Sequence, residues 1–292
     1  MTAAVIADVH QKLNWKKILN QIDSLDKIYF VGDYYDHHGD CEVSGTAAID
    51  NFEEIMKLKE KYPDKVFTCL GNHDSHYLPG IHAYSSYQGG QLAELFSDSL
   101  VKYSDNLNIC YRFGEYVISH AGVTKEWYNI WFKKLKENEL LSDTGLLFKG
   151  DPVDIINSWL RAYFKVLKEG LEYFDKKEDV PMEITKKIYA LAKVFEFPDS
   201  CWDPYGDDIT CPPVWVRPGS ALIDAFFSYQ VVGHTSTQSW FNKGPEVLCL
   251  KKRDASEDKM NHIIFIDNDN HDNILYIDGE KPNEDDFQEA GN

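Results

Sequence analysis

Five short apolar runs, each closed by a loop of Asp, Asn, His and Gly, constrain this chain more than any other feature. Ala3 to Ala7 leads into Asp8-Val9-His10, Ile28 to Val31 into Gly32-Asp33-Tyr34-Tyr35-Asp36, and Val66 to Leu70 into Gly71-Asn72-His73-Asp74. Val117 to Ser119 continues into His120-Ala121-Gly122, and Val231 to Val232 into Gly233-His234-Thr235. Runs this short between turn residues read as buried strands. The segments that follow the first two loops have helical spacing, in Leu13 to Ile22 and in Ala48, Phe52, Ile55 and Met56. Strand, polar loop, helix, strand is the pattern of an α/β sheet with crossovers, which gathers its ligands at the carboxyl ends of its strands. Val247 to Leu250, His262 to Ile266 and Ile274 to Ile277 lack such loops and read as a closing set of hairpin strands.

From about 124 to 200 the character changes. Ile156, Trp159, Leu160, Tyr163, Phe164 and Leu167 follow i, i+3, i+4, i+7 spacing, and Ile184, Ile188, Leu191 and Phe195 continue it, which predicts a helical insertion with an aromatic buried face. No repeat or low-complexity linker divides the chain, so residues 1–277 are expected to form one domain that includes the insertion. Residues 278–292 hold six acids and one Lys and read as an acidic, flexible tail.

Composition removes whole classes of function. With 43% hydrophobic and 14% aromatic residues the chain has ample surface to bury, which excludes disorder. A net charge of -18 argues against a groove for duplex nucleic acid, which needs phosphate-neutralising cations. No apolar run approaches a membrane span, and the first residues read as a strand, not a cleaved leader. Six cysteines without a C-x-x-C pair suit reduced thiols and a cytoplasmic location.

Asp, Asn and His are ordinary turn residues one at a time, but their recurrence at five strand ends points to a shared site. Mixed oxygen and imidazole donors without thiolate fit divalent ions of borderline hardness, Mn, Fe or Zn, better than Mg or Ca. Two such ions about 3.5 to 4 Å apart support in-line attack of a shared hydroxide on phosphorus. A forked guanidinium suits two phosphoryl oxygens, and the chain has only four arginines, Arg112, Arg161, Arg217 and Arg253.

The ordered set Asp-x-His, Gly-Asp-x-x-Asp, Gly-Asn-His-Asp, His and Gly-His resembles the calcineurin-like metallophosphoesterase superfamily, from Ala4 to about Asp267. The segments Pro213 to Pro218 and Gly233-His234-Thr235 look like the serine/threonine phosphoprotein phosphatase branch and its bacterial, phage and diadenosine-tetraphosphatase relatives. The resemblance implies a double β-sheet sandwich flanked by helices, with two divalent ions and a phosphorylated substrate. It implies Asp8, His10 and Asp33 at a first metal and Asp33, Asn72, His120 and His234 at a second, with Asp33 bridging. It further implies His73 as the general acid or phosphate-facing imidazole, Asp36 as its orienting carboxylate, and Arg217 and Asn72 at the phosphate. The branch continues with Arg-Gly after Asp36, where this chain has His37, His38 and Gly39, so His37 stands where a phosphate clamp is expected. The function expected is phosphomonoester hydrolysis by a metal-bridging hydroxide. The alternatives are a nucleotide or dinucleoside polyphosphate hydrolase, an RNA-end phosphatase and, less favoured because no ligand position is lost, a non-catalytic scaffold.

Overall fold

Alternate residues of the first strands go to two different cores, which explains why their sequences are apolar without interruption. In the computed structural model, which describes residues 1–36, 42–82, 86–193, 208–236, 248–254, 259–267, 274–280 and 287–289, β1 (Ala3–Ile6) sends Ala3 and Val5 to one side and Ala4 and Ile6 to the other. In β2 (Lys27–Phe30), Tyr29 joins the first side, and Ile28 and Phe30 join the second. Strands buried on both faces in this way belong to a sheet covered on both faces.

β1, β2, β3 (Val66–Cys69) and the short β4 (Leu107–Asn108) pair in parallel, with β10 (Ile274–Ile277) antiparallel on the free edge of β1. The second sheet runs β11 (Gln288–Glu289), β8 (Leu248–Asp254), β9 (Lys259–Phe265), β7 (Tyr229–Val232), β6 (Tyr116–Ser119) and β5 (Cys110–Phe113). Between the sheets lie Val5, Tyr29, Val31, Ile118, Val231 and Ile264. This is the double-sheet sandwich implied by the resemblance. One expectation changes: β8 and β9 do form an antiparallel pair, but Ile274–Ile277 crosses to the other sheet, where Ile277 lies opposite Ala3.

Helices cover the outer face of the first sheet. α1 (Thr46–Lys61) buries Ala48, Phe52, Ile55 and Met56, and α3 (Gln91–Lys102) buries Phe96 and Leu100 against the same cluster. The Leu13 segment forms a 3-10 helix, Asn14–Gln21, in place of the expected α-helix. α2 is the single turn Asn72–Ser75, directly after β3.

The expected insertion contains α4 (Lys125–Lys136), α5 (Pro152–Asp175) and α6 (Met182–Ala192). α5 starts cleanly because the Asp151 side chain accepts the Val153 N–H at 2.8 Å and Pro152 needs no donor partner. Its periodic residues from Ile156 to Leu167 are all buried, so the aromatic stripe is core. Asn157 fastens the helix to the body by accepting the Ile109 N–H at 2.9 Å and donating to the Cys110 carbonyl at 2.8 Å. The Tyr163 hydroxyl donates to the Pro79 carbonyl at 2.9 Å, tying the insertion to the chain that leaves α2.

Two expectations need correction. Part of the acidic stretch after 277 is docked: Phe287 is 5% exposed against the His262 ring, and β11 extends the second sheet beside β8. Cys211 is disulfide-bonded, whereas Cys69 and Cys110 are free thiols. Sequence spacing cannot reveal which cysteines meet in space. No helix among the described residues is long and apolar enough to cross a membrane.

Candidate metal centre

The polar loops meet at one edge of the sandwich, and they come from both sheets. Asp8 and His10 follow β1, Asp33 and Asp36 follow β2, and Asn72 and His73 open α2 after β3. His120 follows β6 and His234 follows β7. His37 lies outside the described residues.

The backbone is bent hard to bring these side chains inward. His10, Asp33, Asp36 and His234 have φ of 42°, 52°, 57° and 63°, and Gln11 has 60°. Non-glycine residues visit this left-handed region rarely, and its concentration in the site loops marks strain held by the surroundings. Gly71 and Gly233 solve a different problem, close approach: a Cβ on Gly71 would collide with Asp33 Oδ1, and one on Gly233 with Asp8 Oδ1.

Two three-residue groups share Asp33. In Asp8, His10 and Asp33, and again in Asp33, His120 and His234, one donor atom from each residue lies within 4.8 Å of the others. His10 Nε2 is 3.7 Å from both Asp8 Oδ2 and Asp33 Oδ2. His120 Nε2 is 3.5 Å from Asp33 Oδ2, 2.9 Å from Asn72 Oδ1 and 3.2 Å from His234 Nδ1. Asn72 Oδ1 is also 2.9 Å from His234 Nδ1, so it completes the second group.

The donor chemistry fits cations. His120 Nδ1 lies 3.0 Å from the Val31 carbonyl, which places the ring hydrogen there and leaves a lone pair on Nε2. That lone pair faces Asn72 Oδ1 and Asp33 Oδ2, which are acceptors as well. Burial pushes His120 down to about 3 and, with Arg217, holds His234 well below the usual imidazole range, which favours the neutral form of both rings. Burial, reinforced by Asp267 at Asp8 and by Asp8 at Asp33, raises both carboxyls far above the ordinary range. Acceptors facing acceptors in a desolvated pocket are stabilised by positive ions placed between them.

Beside this centre, His73 Nδ1 is 3.0 Å from Asp36 Oδ2, and the rings of His73 and His10 are 5.3 Å apart. Arg217 lies with its guanidinium carbon 5.1 Å from the Trp215 ring and donates from Nη1 to Thr235 Oγ1 at 3.3 Å. The Trp215 ring is in turn 5.3 Å from that of His234. Arg217 Nε is buried with no hydrogen-bond partner among the described residues, a donor left over inside a cationic head group.

Several neighbours carry weaker signals in the sequence. His76 reads as a residue of a polar loop, yet its Nε2 is 2.7 Å from Asp36 Oδ2. The i, i+3 spacing from His73 was the available signal, since it puts both on one side of a helical turn. Asp74 accepts backbone N–H groups and faces no proposed ligand atom in these bonds. Tyr34 and Tyr35 are fully buried and pack on Phe52, and Tyr35 also stacks on Phe96.

A sandwich with such a polar centre at the meeting edge of its sheets has the donor set that a metal-dependent phosphoesterase requires. The chain belongs to the calcineurin-like phosphoesterase family, whose model matches residues 1–192. Arg217 and His234 lie beyond that span. No curated protein matches the chain.

Proposed function

We propose that this chain is a dinuclear phosphomonoesterase of the serine/threonine protein phosphatase type. The observation that carries the reading is the sharing of Asp33 between two ligand groups on adjacent loops. Asp8, His10 and Asp33 would hold one ion, and Asp33, Asn72, His120 and His234 would hold the other. Bound there, two divalent transition-metal ions, with Mn the first choice and Fe or Zn as alternatives, supply Lewis acidity to phosphoryl oxygens and make water nucleophilic at neutral pH.

The chain's own residues do the rest. Arg217, held by Trp215 and Thr235, offers guanidinium donors to the phosphoryl oxygens. His73, with Nδ1 on Asp36, has Nε2 left for the substrate and gives its proton to the leaving oxygen. Asp36 keeps the ring in the right tautomer and remains ionised throughout. A monoester is favoured because its dianion needs both a metal pair and a forked cation.

The test is metal analysis of purified protein together with hydrolysis of p-nitrophenyl phosphate, its diester, phosphopeptides and dinucleoside polyphosphates. Close to two ions per chain and preference for the monoesters support the reading. Preference for dinucleoside polyphosphates moves the chain to the nucleotide-hydrolase alternative, and full activity after chelation overturns the metal mechanism.

A further inference from the structure

Asp36 is more tightly held than an orienting carboxylate requires. It is fully buried, at a positive φ of 57°, and four side chains converge on it. Oδ2 faces His73 Nδ1 at 3.0 Å and His76 Nε2 at 2.7 Å. Oδ1 accepts from the Tyr77 hydroxyl and from Gln88 Nε2, the latter at 3.0 Å. The Tyr77 hydroxyl also accepts the backbone N–H of Gln88 at 3.0 Å, so these last two donors brace each other. An ionised carboxylate has about four acceptor positions, and three hydrogen bonds and the close His76 contact crowd these two oxygens.

The two imidazoles on Oδ2 are not equivalent. The His73 side chain is 11% exposed, whereas that of His76 is 0% exposed. His76 cannot touch a substrate, so any effect it has on chemistry passes through Asp36. Its ring is edge-on to Tyr77 at 4.4 Å, and Tyr77 packs on Phe96 at 4.9 Å and Tyr87 at 5.0 Å. The donors are therefore themselves immobilised by packing.

We propose that His76, Tyr77 and Gln88 are positioning residues that lock the Asp36 carboxylate and thereby aim His73 Nε2 at the leaving-group oxygen. The inference rests on proton delivery by His73. Rotation of an unlocked carboxylate would swing the His73 ring, and a proton donor is effective only within hydrogen-bond reach of its target. The proton leaves His73 Nε2 for the departing oxygen, and Asp36 exchanges none.

The test compares phenyl phosphate, a poor leaving group, with p-nitrophenyl phosphate, a good one, on the metal-loaded enzyme. Tyr77→Phe and His76→Phe keep the aromatic packing and remove one donor each, and Gln88→Leu, at a half-buried position, serves should either fail to fold. Each is expected to lower kcat on phenyl phosphate about tenfold, the scale of one hydrogen bond to a charged group, with KM and metal content unchanged and a smaller loss on p-nitrophenyl phosphate. In an Asp36→Asn background the same substitutions should cost nothing further, because the group they act through is already altered. Equal losses on both substrates, or losses that add fully to that of Asp36→Asn, overturn the clamp. His73→Asn separates the two readings: if it fails to discriminate between the leaving groups, proton delivery itself is wrong, and if it discriminates while the clamp variants do not, the clamp alone is wrong.

Discussion

Asp74 holds Asp33 by its main chain: Asp74 Oδ2 accepts the Asp33 N–H at 2.8 Å. The same oxygen accepts the Gly71 N–H at 2.9 Å, and Oδ1 accepts the Tyr34 N–H at 2.7 Å. One buried carboxylate therefore staples the loop after β2 to the turn after β3. Asp74→Ala strands these N–H groups in a place without water and is expected to cost about 2 to 4 kcal/mol of stability. Asp74→Asn keeps one acceptor oxygen and should fall between. Denaturation with chelator present reads the fold alone; a loss under 1 kcal/mol for Asp74→Ala would show that the staple is dispensable.

Asp33→Asn should be the most damaging ligand change, since Asp33 belongs to both groups. His10→Asn touches one group only. The expected metal contents are near one ion per chain for His10→Asn and well below one for Asp33→Asn, with activity following the same order. Equal metal content in the two variants would remove the bridging role.

His73→Asn should lower kcat by about 10² to 10⁴ on a poor leaving group, the range of general acid catalysis, and by far less on p-nitrophenyl phosphate. Metal content should stay near normal. An equal loss on both substrates assigns His73 to phosphate binding.

Asp36 sets a pH dependence of stability whose sign follows from its surroundings. Burial alone would raise its pKa, but the donors His73, His76, Tyr77 and Gln88 outweigh burial and hold the carboxyl well below the usual range. A lowered folded pKa means stabilisation that is complete above the unfolded value of about 4 and is lost as pH falls toward the folded one. Asp36→Asn is therefore expected to be less stable than the parent by about 1 to 3 kcal/mol from pH 5 to 8, with the gap closing below about pH 4. Urea unfolding across that range measures it, and a gap that widens in acid contradicts the argument.

Arg217→Lys retains charge but loses the fork and the flat contact with Trp215. It should lower kcat/KM on phosphomonoesters about tenfold or more without loss of metal. Steady-state kinetics decides this, since an unchanged kcat/KM places Arg217 outside the phosphate pocket.

Much of this site was legible in the sequence because its chemistry is carried by residue types at strand ends. Asp8, His10, Asp33, Asn72, His120 and His234 could be picked out by type and position, and the structure brings them to one edge. The layered sandwich was legible only through the resemblance, because an apolar strand does not say which of two sheets it joins; Ile274–Ile277 shows this directly. The supports of the site were harder to read. Tyr77 and Gln88 meet Asp36 across gaps of 41 and 52 residues, and no local pattern encodes such a contact. Phe287 and Cys211 went astray for the same reason, since a docking partner or a bonded thiol is a fact about space.

The division of the ligands between two sheets has a mechanical consequence. Asp8, His10, Asp33 and Asn72 belong to one half of the sandwich, and His120 and His234 to the other. At this edge the protein alone supplies polar ties such as the His120 ring on the Val31 carbonyl and the His234 N–H on the Asp8 carboxylate. An ion seated across the gap acts as a rivet: its binding free energy is also cohesion between the halves, by the linkage that couples any native-state ligand to folding. The rivet would work on a backbone already bent against its preferences at His10, Asp33 and His234, so ions bound there for chemistry would also keep that bend closed.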